Sequence, residues 1–123
     1  MRVFLLLGAA FGALGVAAGA FGAHALSARL EPRMLEVFET AVRYQMYHAL
    51  ALLAVGLLAS QSRTRATLYA GWAFVAGILL FSGSLYALVF SGVRVLGMIT
   101  PLGGVAFIIG WIALASAAVS GRR

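Results

Sequence analysis

An uninterrupted uncharged stretch, ATLYAGWAFVAGILLFSGSLYALVFSGV, occupies residues 66–93. Its 28 residues exceed the roughly 20 apolar residues that a helix needs to cross the hydrocarbon core of a bilayer. Three further uncharged runs cover residues 3–28, 44–62 and 95–121. The four runs hold 100 of the 123 residues, so all twelve charged side chains lie in the other 23. This distribution predicts an integral membrane protein with four spans.

The overall composition supports the same class and excludes several others. Hydrophobic residues make up 63% of the chain and charged residues 10%, whereas soluble domains carry about 25% charged residues. The absence of cysteine excludes disulfides, thiolate metal sites and iron–sulfur clusters. All nine basic residues are arginines that stand singly or in pairs near the ends of the runs. Such positions suit lipid headgroups rather than nucleic acid, so the expected partner is the bilayer and no cofactor is expected.

The spacing of charged and turn residues predicts one all-α domain over residues 1–123, an antiparallel four-helix membrane bundle. An amphipathic interfacial helix is expected at about 32–43, because Pro32 suits a first helical turn and apolar residues recur at helical spacing after it. This helix is expected to run into the second span. The first run carries Ala23-His24-Ala25, which is typical of a signal-peptide cleavage site. It is longer than a signal peptide's apolar region of about 7–15 residues, so we expect it to be an uncleaved span. The spans are predicted at about 3–26, 44–59, 66–90 and 96–119.

Glycines of the first span follow a 4-3-4-3 spacing, which places them along one stripe of a helix. Without a hydrophobic driving force between helices in lipid, small residues favour association by letting backbones approach closely. A nucleotide-binding glycine loop would need a preceding strand, which the pattern lacks. The stripe therefore predicts a helix-packing seam made of Gly8, Gly12, Gly15, Gly19 and Gly22.

Polar residues inside the spans gather at one end of the predicted bundle. On the second span, Tyr44 and His48 share a face with Thr40 and Tyr47, and the opposite face is expected to meet lipid through Met46, Leu50, Leu53 and Leu57. Counting residues along antiparallel helices places His24 and His48 at similar depth, so we expect the two rings to approach each other. The candidate polar pocket consists of His24, Tyr44, Gln45, His48, Ser82, Tyr86 and Thr100.

Three interpretations of this polar set are open. The side chains could hydrogen-bond each other as structural braces, since buried polar clusters are more often satisfied than catalytic. They could line a small pocket in which the two histidines titrate near neutral pH. His24 and His48 could also be axial haem ligands or join a metal site, although two ligands without a spacing motif are a weak signal.

The sequence resembles an uncharacterised family of small four-helix integral membrane proteins, a YwdK-like domain of unknown function. The resemblance covers nearly the whole chain in order and implies an uncleaved first span and a bacterial inner-membrane location. It implies no activity. The matching residues are GAFGAHAL at 19–26, FETAVRYQMYHALAL at 38–52, FSGSLY at 81–86, ITPLGG at 99–104 and GW at 110–111.

The favoured hypothesis is a non-enzymatic multi-pass protein of the bacterial inner membrane, either freestanding or an accessory subunit of a larger complex. One alternative is an oligomeric module for small-solute or proton-linked transport. Another is a haem- or metal-binding redox protein that uses His24 and His48. With four spans, both termini lie on one side, and a small excess of arginine on that side predicts that they are cytoplasmic.

Overall fold

Four long helices form the described part of the chain, residues 2–120 of a computed structural model. They are α1 (Arg2–Leu26), α2 (Pro32–Gln61), α3 (Arg65–Ser91) and α4 (Thr100–Ser120). A short 3₁₀ turn, Arg94–Met98, precedes α4. Each of the four is long and apolar enough to span a membrane, and no strand occurs among residues 2–120. Arg122 and Arg123, which enter the orientation argument, lie outside the described residues.

The second helix is continuous over 30 residues. It begins at Pro32, after an extended Glu31, and ends before an extended Ser62. At 1.5 Å per residue it is about 45 Å long, whereas the hydrocarbon core is about 30 Å thick. The predicted amphipathic segment and the predicted second span are therefore two parts of one helix, which extends beyond the hydrocarbon core.

Local side-chain chemistry sets the tight turns on either side of α3. At its start, Thr64 Oγ1 accepts from the Thr67 amide at 3.2 Å, and Thr67 Oγ1 accepts from the Thr64 amide at 3.0 Å. This reciprocal cap satisfies amides that the first helical turn leaves free. At its end, Gly92 adopts a left-handed conformation with φ of 73°, which favours glycine. The two short turns make α3 antiparallel to both α2 and α4.

The helices α2 and α3 form the centre of the bundle. The outer helix α1 packs mainly along α2, and α4 packs mainly along α3. Side chains from all four helices meet in one apolar core, which includes Phe4, Leu52, Phe74 and Phe107. The result is an antiparallel four-helix bundle in which the flanking helices lie against a central pair rather than against each other.

The glycine stripe of α1 faces α2, as the spacing predicts, at four of its five positions. A Cβ at Gly8 would lie 2.9 Å from the Ala49 carbonyl oxygen, and a Cβ at Gly19 would lie 3.1 Å from Val42 Cγ1. Gly12 is the exception, because a Cβ there would have no neighbour within 4 Å. The remaining two positions are Gly15, against Met46, and Gly22, against Phe38.

The prediction that Met46, Leu50, Leu53 and Leu57 face lipid is wrong for two of these four residues. Leu50 and Leu57 are exposed, as expected for lipid-facing side chains. Met46 and Leu53 instead lie against the glycine stripe of α1, at Gly15 and Gly8. The side of α2 that meets this stripe is thus set by the position of α1, and the side chains of Met46 and Leu53 pack in the space that the glycines leave.

Phenylalanine rings on one helix also rest on glycines of the next. The Phe4 ring of α1 lies on Gly71, and the Phe107 ring of α4 lies on Gly77. The Phe74 ring of α3 lies on Gly110 in the same way. At Gly103 the approach is closer still, because the position of a Cβ would overlap the backbone of Phe81.

Two helices contain a π turn at a similar distance from their first residue. In α1 it spans Ala18–Gly22, where the Ala23 amide donates to the Ala18 carbonyl. In α3 it spans Ile78–Ser82, where the Gly83 amide donates to the Ile78 carbonyl. Each turn takes up more residues than an α-helical turn does, and such turns are frequent at functional sites.

Adjacent glycines of α4 offer a direct test of the close helix contact. We expect Gly103→Ala to destabilise the protein by about 1–3 kcal/mol, because the methyl group forces the α3 and α4 backbones apart. Gly104→Ala is the matched control, since a Cβ there meets nothing within 4 Å. It should leave stability unchanged or raise it by up to about 1 kcal/mol through helix propensity. Thermal unfolding in detergent measures both; a lower melting temperature for Gly104→Ala than for Gly103→Ala would contradict the contact.

Candidate functional site

The seven residues of the predicted polar pocket do not form one site. The structure divides them among separate places around α2 and α3. Gln45, Ser82 and Tyr86 lie between α1, α2 and α3, whereas Tyr44 and His48 face α4. Thr100 bonds to α3, and His24 lies apart on an exposed face of α1.

Gln45 connects three helices through its side-chain amide. Its Nε2 donates to the Phe11 carbonyl oxygen of α1 at 2.8 Å. Its Oε1 accepts from the Tyr86 hydroxyl of α3 at 2.7 Å. A buried amide in a membrane bundle is costly unless both of its ends are bonded, and here both are. The arrangement ties α1 and α3 to the central helix at one level.

Two serines of α3 make further interhelical bonds. Ser82 Oγ donates to the Ala41 carbonyl oxygen of α2 at 2.7 Å. Ser84 Oγ and Thr100 Oγ1 lie 2.6 Å apart and join α3 to the start of α4. Hydroxyl groups of this kind stabilise helix association in lipid by about 0.6 kcal/mol on average.

His48 is buried against α3 and α4, with both ring nitrogens engaged. The Trp111 indole N–H donates to His48 Nε2 at 3.0 Å. Because an indole N–H can only donate, Nε2 must be unprotonated, and Nδ1 therefore carries the hydrogen. Nδ1 donates to the Tyr44 carbonyl oxygen at 2.7 Å. The neutral ring stacks on Phe107 with centroids 3.5 Å apart and an interplanar angle of 7°.

The expected approach of His24 to His48 is wrong. His24 is exposed, and its ring makes no hydrogen bond or ring contact with another described residue. The depth of a residue along a helix does not determine the direction in which its side chain points. Gly22 faces α2, and His24 follows it by two residues, which is about half a turn around the helix. His48 has no free ring nitrogen to offer a metal. Within residues 2–120, no three His, Asp or Glu residues are grouped as a metal site.

Every buried polar side-chain atom within residues 2–120 has a hydrogen-bond partner. Gln45, Ser82, Ser84, Thr100 and His48 thus make hydrogen bonds between helices, whereas His24 does not. Sequence reasoning missed Trp111, the partner of His48. The signal was present, because an indole N–H inside an apolar span must find an acceptor.

A groove of about 570 Å³ opens between α1 and α3 on the side of the Gln45 bridge. Phe38 and Gln45 of α2 form its floor. Its walls are apolar, and Leu14 and Leu79 on its rims are about 60% exposed. The groove lies within the spanning segments and opens sideways, toward the bilayer. The α1 wall consists of Phe11, Leu14, Ala18, Gly22, Ala25 and Leu26; the α3 wall consists of Ile78, Leu79, Ser82, Gly83, Tyr86 and Phe90.

The four apolar helices, the satisfied polar braces and the lateral groove define a small multi-pass integral membrane protein. Comparison with protein families gives the narrower grouping. Residues 18–104 match the family model described as "Protein of unknown function (DUF423)". The chain belongs to this DUF423 family, which confirms the resemblance drawn from the sequence motifs.

Curated relatives match the chain along almost their whole length and are named as membrane proteins. The chain is 52% identical to UPF0382 membrane protein YwdK of Bacillus subtilis, covering 97% of this chain and 98% of that protein. It is 50% identical to UPF0382 membrane protein SAB0533 of Staphylococcus aureus, covering 93% of each. No solved structure matches the chain. These names establish a membrane protein family and state no activity.

The two histidines provide a matched pair for testing the bracing role. We expect His48→Leu to lower the stability by about 1 kcal/mol, because it leaves the Trp111 indole N–H without its acceptor inside the bundle. His24→Leu should leave stability unchanged, because the His24 ring is exposed and makes no side-chain bond to another described residue. Thermal unfolding of the detergent-solubilised protein measures both variants. Equal melting temperatures for the two would show that the Trp111–His48 bond contributes nothing.

Proposed function

We propose that this protein is a non-enzymatic accessory subunit of a bacterial inner-membrane complex, which holds a transmembrane helix of a partner in the groove between α1 and α3. The groove is the observation that carries the proposal. Its volume is about 570 Å³, and its lining runs along α1 from Phe11 to Leu26 and along α3 from Ile78 to Phe90, so it is elongated in the direction of the helices.

A non-enzymatic role is supported by the state of the polar side chains. Gln45 and Ser82 use their polar atoms in interhelical bonds, and His48 bonds to Trp111 of α4 and to the Tyr44 carbonyl of its own helix. General acid–base or nucleophilic catalysis needs a group that can reach a substrate, and a fully bonded, buried group cannot do so without breaking the bundle. These residues support assembly rather than chemistry.

A helix is the occupant favoured by the walls of the groove. Gly83 lines it, and a Cβ at Gly83 would meet nothing within 4 Å. Glycine inside a helix costs up to about 1 kcal/mol relative to alanine, and packing within this chain does not require it there. Ala18 and Ala25 face it from α1. Small residues opposite an open groove let the backbone of another helix come close.

Two open glycines give the proposal a controlled test. Gly83→Leu fills the groove, whereas Gly104→Leu places the same side chain at an equally open position on α4 that does not line it. We expect proteins that co-purify with the wild-type chain from native membranes to be lost from Gly83→Leu and kept by Gly104→Leu. Native mass spectrometry of gently extracted protein measures the difference, and thermal unfolding shows whether both variants fold.

Two results would overturn the accessory-subunit proposal. One is a strictly monomeric wild-type protein without partners. The other is a complex that contains only copies of this chain, which would favour a homo-oligomer and restore the transport hypothesis. Retention of the same partners by both variants would show that these partners do not bind through the groove.

The orientation we infer places both termini in the cytoplasm. The short segment between α2 and α3 lies on the same side as the termini, and this side carries five arginines against four on the other. Basic residues near span ends favour the cytoplasmic side. The cytoplasmic set is Arg2, Arg63, Arg65, Arg122 and Arg123, and the opposite set is Arg29, Arg33, Arg43 and Arg94.

Reporter fusions expressed in a bacterium test this orientation. Green fluorescent protein fused after Arg123 should fluoresce, because it folds in the cytoplasm. Alkaline phosphatase inserted at Gly92, between α3 and α4, should be active, because it folds only outside. Active phosphatase at the C-terminus together with a dark fluorescent fusion would reverse the orientation.

A further inference from the structure

A second pocket, of about 380 Å³, lies on the first third of α2 and is lined by Arg33, Glu36, Val37, Thr40 and Arg43, with Leu85 of α3. It shares no lining residue with the groove between α1 and α3. Two arginines, one glutamate and one threonine therefore line a single open depression that has an apolar side, and Arg33, Glu36 and Arg43 are exposed. None of the polar braces described above takes part in it.

The pocket lies at the depth of lipid headgroups. A hydrocarbon core of about 30 Å spans about 20 residues of helix, and 20 residues back from Gln61 is close to Val42. Arg43 is thus at the edge of the core, and Arg33 is about 15 Å further out along the helix. The Arg43 side chain is directed toward the N-terminal end of α2, as its bond to Thr40 Oγ1 shows, so its guanidinium group lies on the side of Arg33.

The types of exposed side chain along α2 follow the order that is typical of a surface facing lipid. Tyr44 and Tyr47 follow the pocket directly and are exposed. Exposed tyrosines are typical of the boundary between headgroups and acyl chains. Leu50 and Leu57 follow at the depth of the acyl chains and are also exposed.

The charged groups of the pocket are not neutralised by one another. Arg43 Nη2 donates to Thr40 Oγ1 at 3.2 Å. No guanidinium–carboxylate ion pair forms among the residues that the structure describes. The pocket lining carries charges of both signs, two arginine guanidinium groups and the Glu36 carboxylate. Such a lining suits a ligand that itself carries one charge of each sign.

We propose that this pocket binds the phosphoethanolamine headgroup of a membrane phospholipid. The phosphate accepts charge-assisted hydrogen bonds from Arg33 and Arg43, and the ammonium donates to the Glu36 carboxylate. The acyl chains lie along Tyr47, Leu50 and Leu57. A choline headgroup has the same charges but no N–H, so it cannot make the hydrogen bond to Glu36. An anionic glycerol headgroup would leave Glu36 without a cationic partner.

Native mass spectrometry of the full-length protein can test the proposal, with micelles that contain one probe lipid each: dioleoyl phosphatidylethanolamine, phosphatidylcholine or phosphatidylglycerol. We expect phosphatidylethanolamine to be retained about five-fold more than phosphatidylcholine, the factor that corresponds to one exposed charge-assisted contact. Glu36→Gln should reduce this difference, because the amide oxygen still accepts a hydrogen bond but no longer carries a charge. Arg33→Gln should weaken retention of both lipids by about five-fold, because both carry the phosphate.

A control and three outcomes make the test decisive. Arg63→Gln removes an arginine at the opposite end of α2 and should change nothing. Equal retention of phosphatidylethanolamine and phosphatidylcholine by the wild-type protein would overturn the proposal. So would an unchanged ratio in Glu36→Gln. Stronger retention of phosphatidylglycerol than of phosphatidylethanolamine would also overturn it and identify a site for anionic lipids instead.

Discussion

The contact of phenylalanine rings with glycines is the interaction on which the bundle depends. Lipid tails are as apolar as leucine, so helices in a bilayer associate through close packing rather than exclusion from water. Phe4 on Gly71 and Phe107 on Gly77 attach both flanking helices to α3, and Phe74 on Gly110 secures α4 from the other direction. Because the ring of Phe4 holds α1 against α3 near the start of both helices, the groove can open only toward their other ends.

Hydrogen bonds of polar side chains add to the glycine contacts in holding the helices together. Gln45 reaches two helices at once, and Trp111 fixes the side of α2 that faces α4. Since each bond joins different helices, their combined effect is to fix the rotation of every helix about its own axis. Apolar packing defines that rotation less well, because contacts between apolar groups are not directional, whereas hydrogen bonds are. The hydrogen bonds of the buried polar atoms therefore help to define one arrangement of the helices.

Depth in the membrane could be predicted from the sequence, but the direction of side chains around each helix could not. Charge-free runs locate the spans, and residue counting places His24, His48 and Tyr86 at one end. Which side chains meet depends on which helices are neighbours, and a linear pattern does not contain that information. In the structure the central pair, α2 and α3, separates α1 from α4, so the residues expected in one pocket lie on different sides of that pair. Met46 was misjudged for the same reason, since its partner is a glycine on a different span.

The π turns of α1 and α3 determine where a residue can be deleted from these helices. A π turn holds one residue more than the α-helical turn it replaces. Deleting a single residue within Ala18–Gly22 would convert that turn to an α-helical one without rotating the rest of α1. A deletion elsewhere in α1 would rotate every later side chain by about 100° and misdirect the glycine stripe. Each π turn is therefore a position where one residue can be deleted without changing the helical register of the residues that follow.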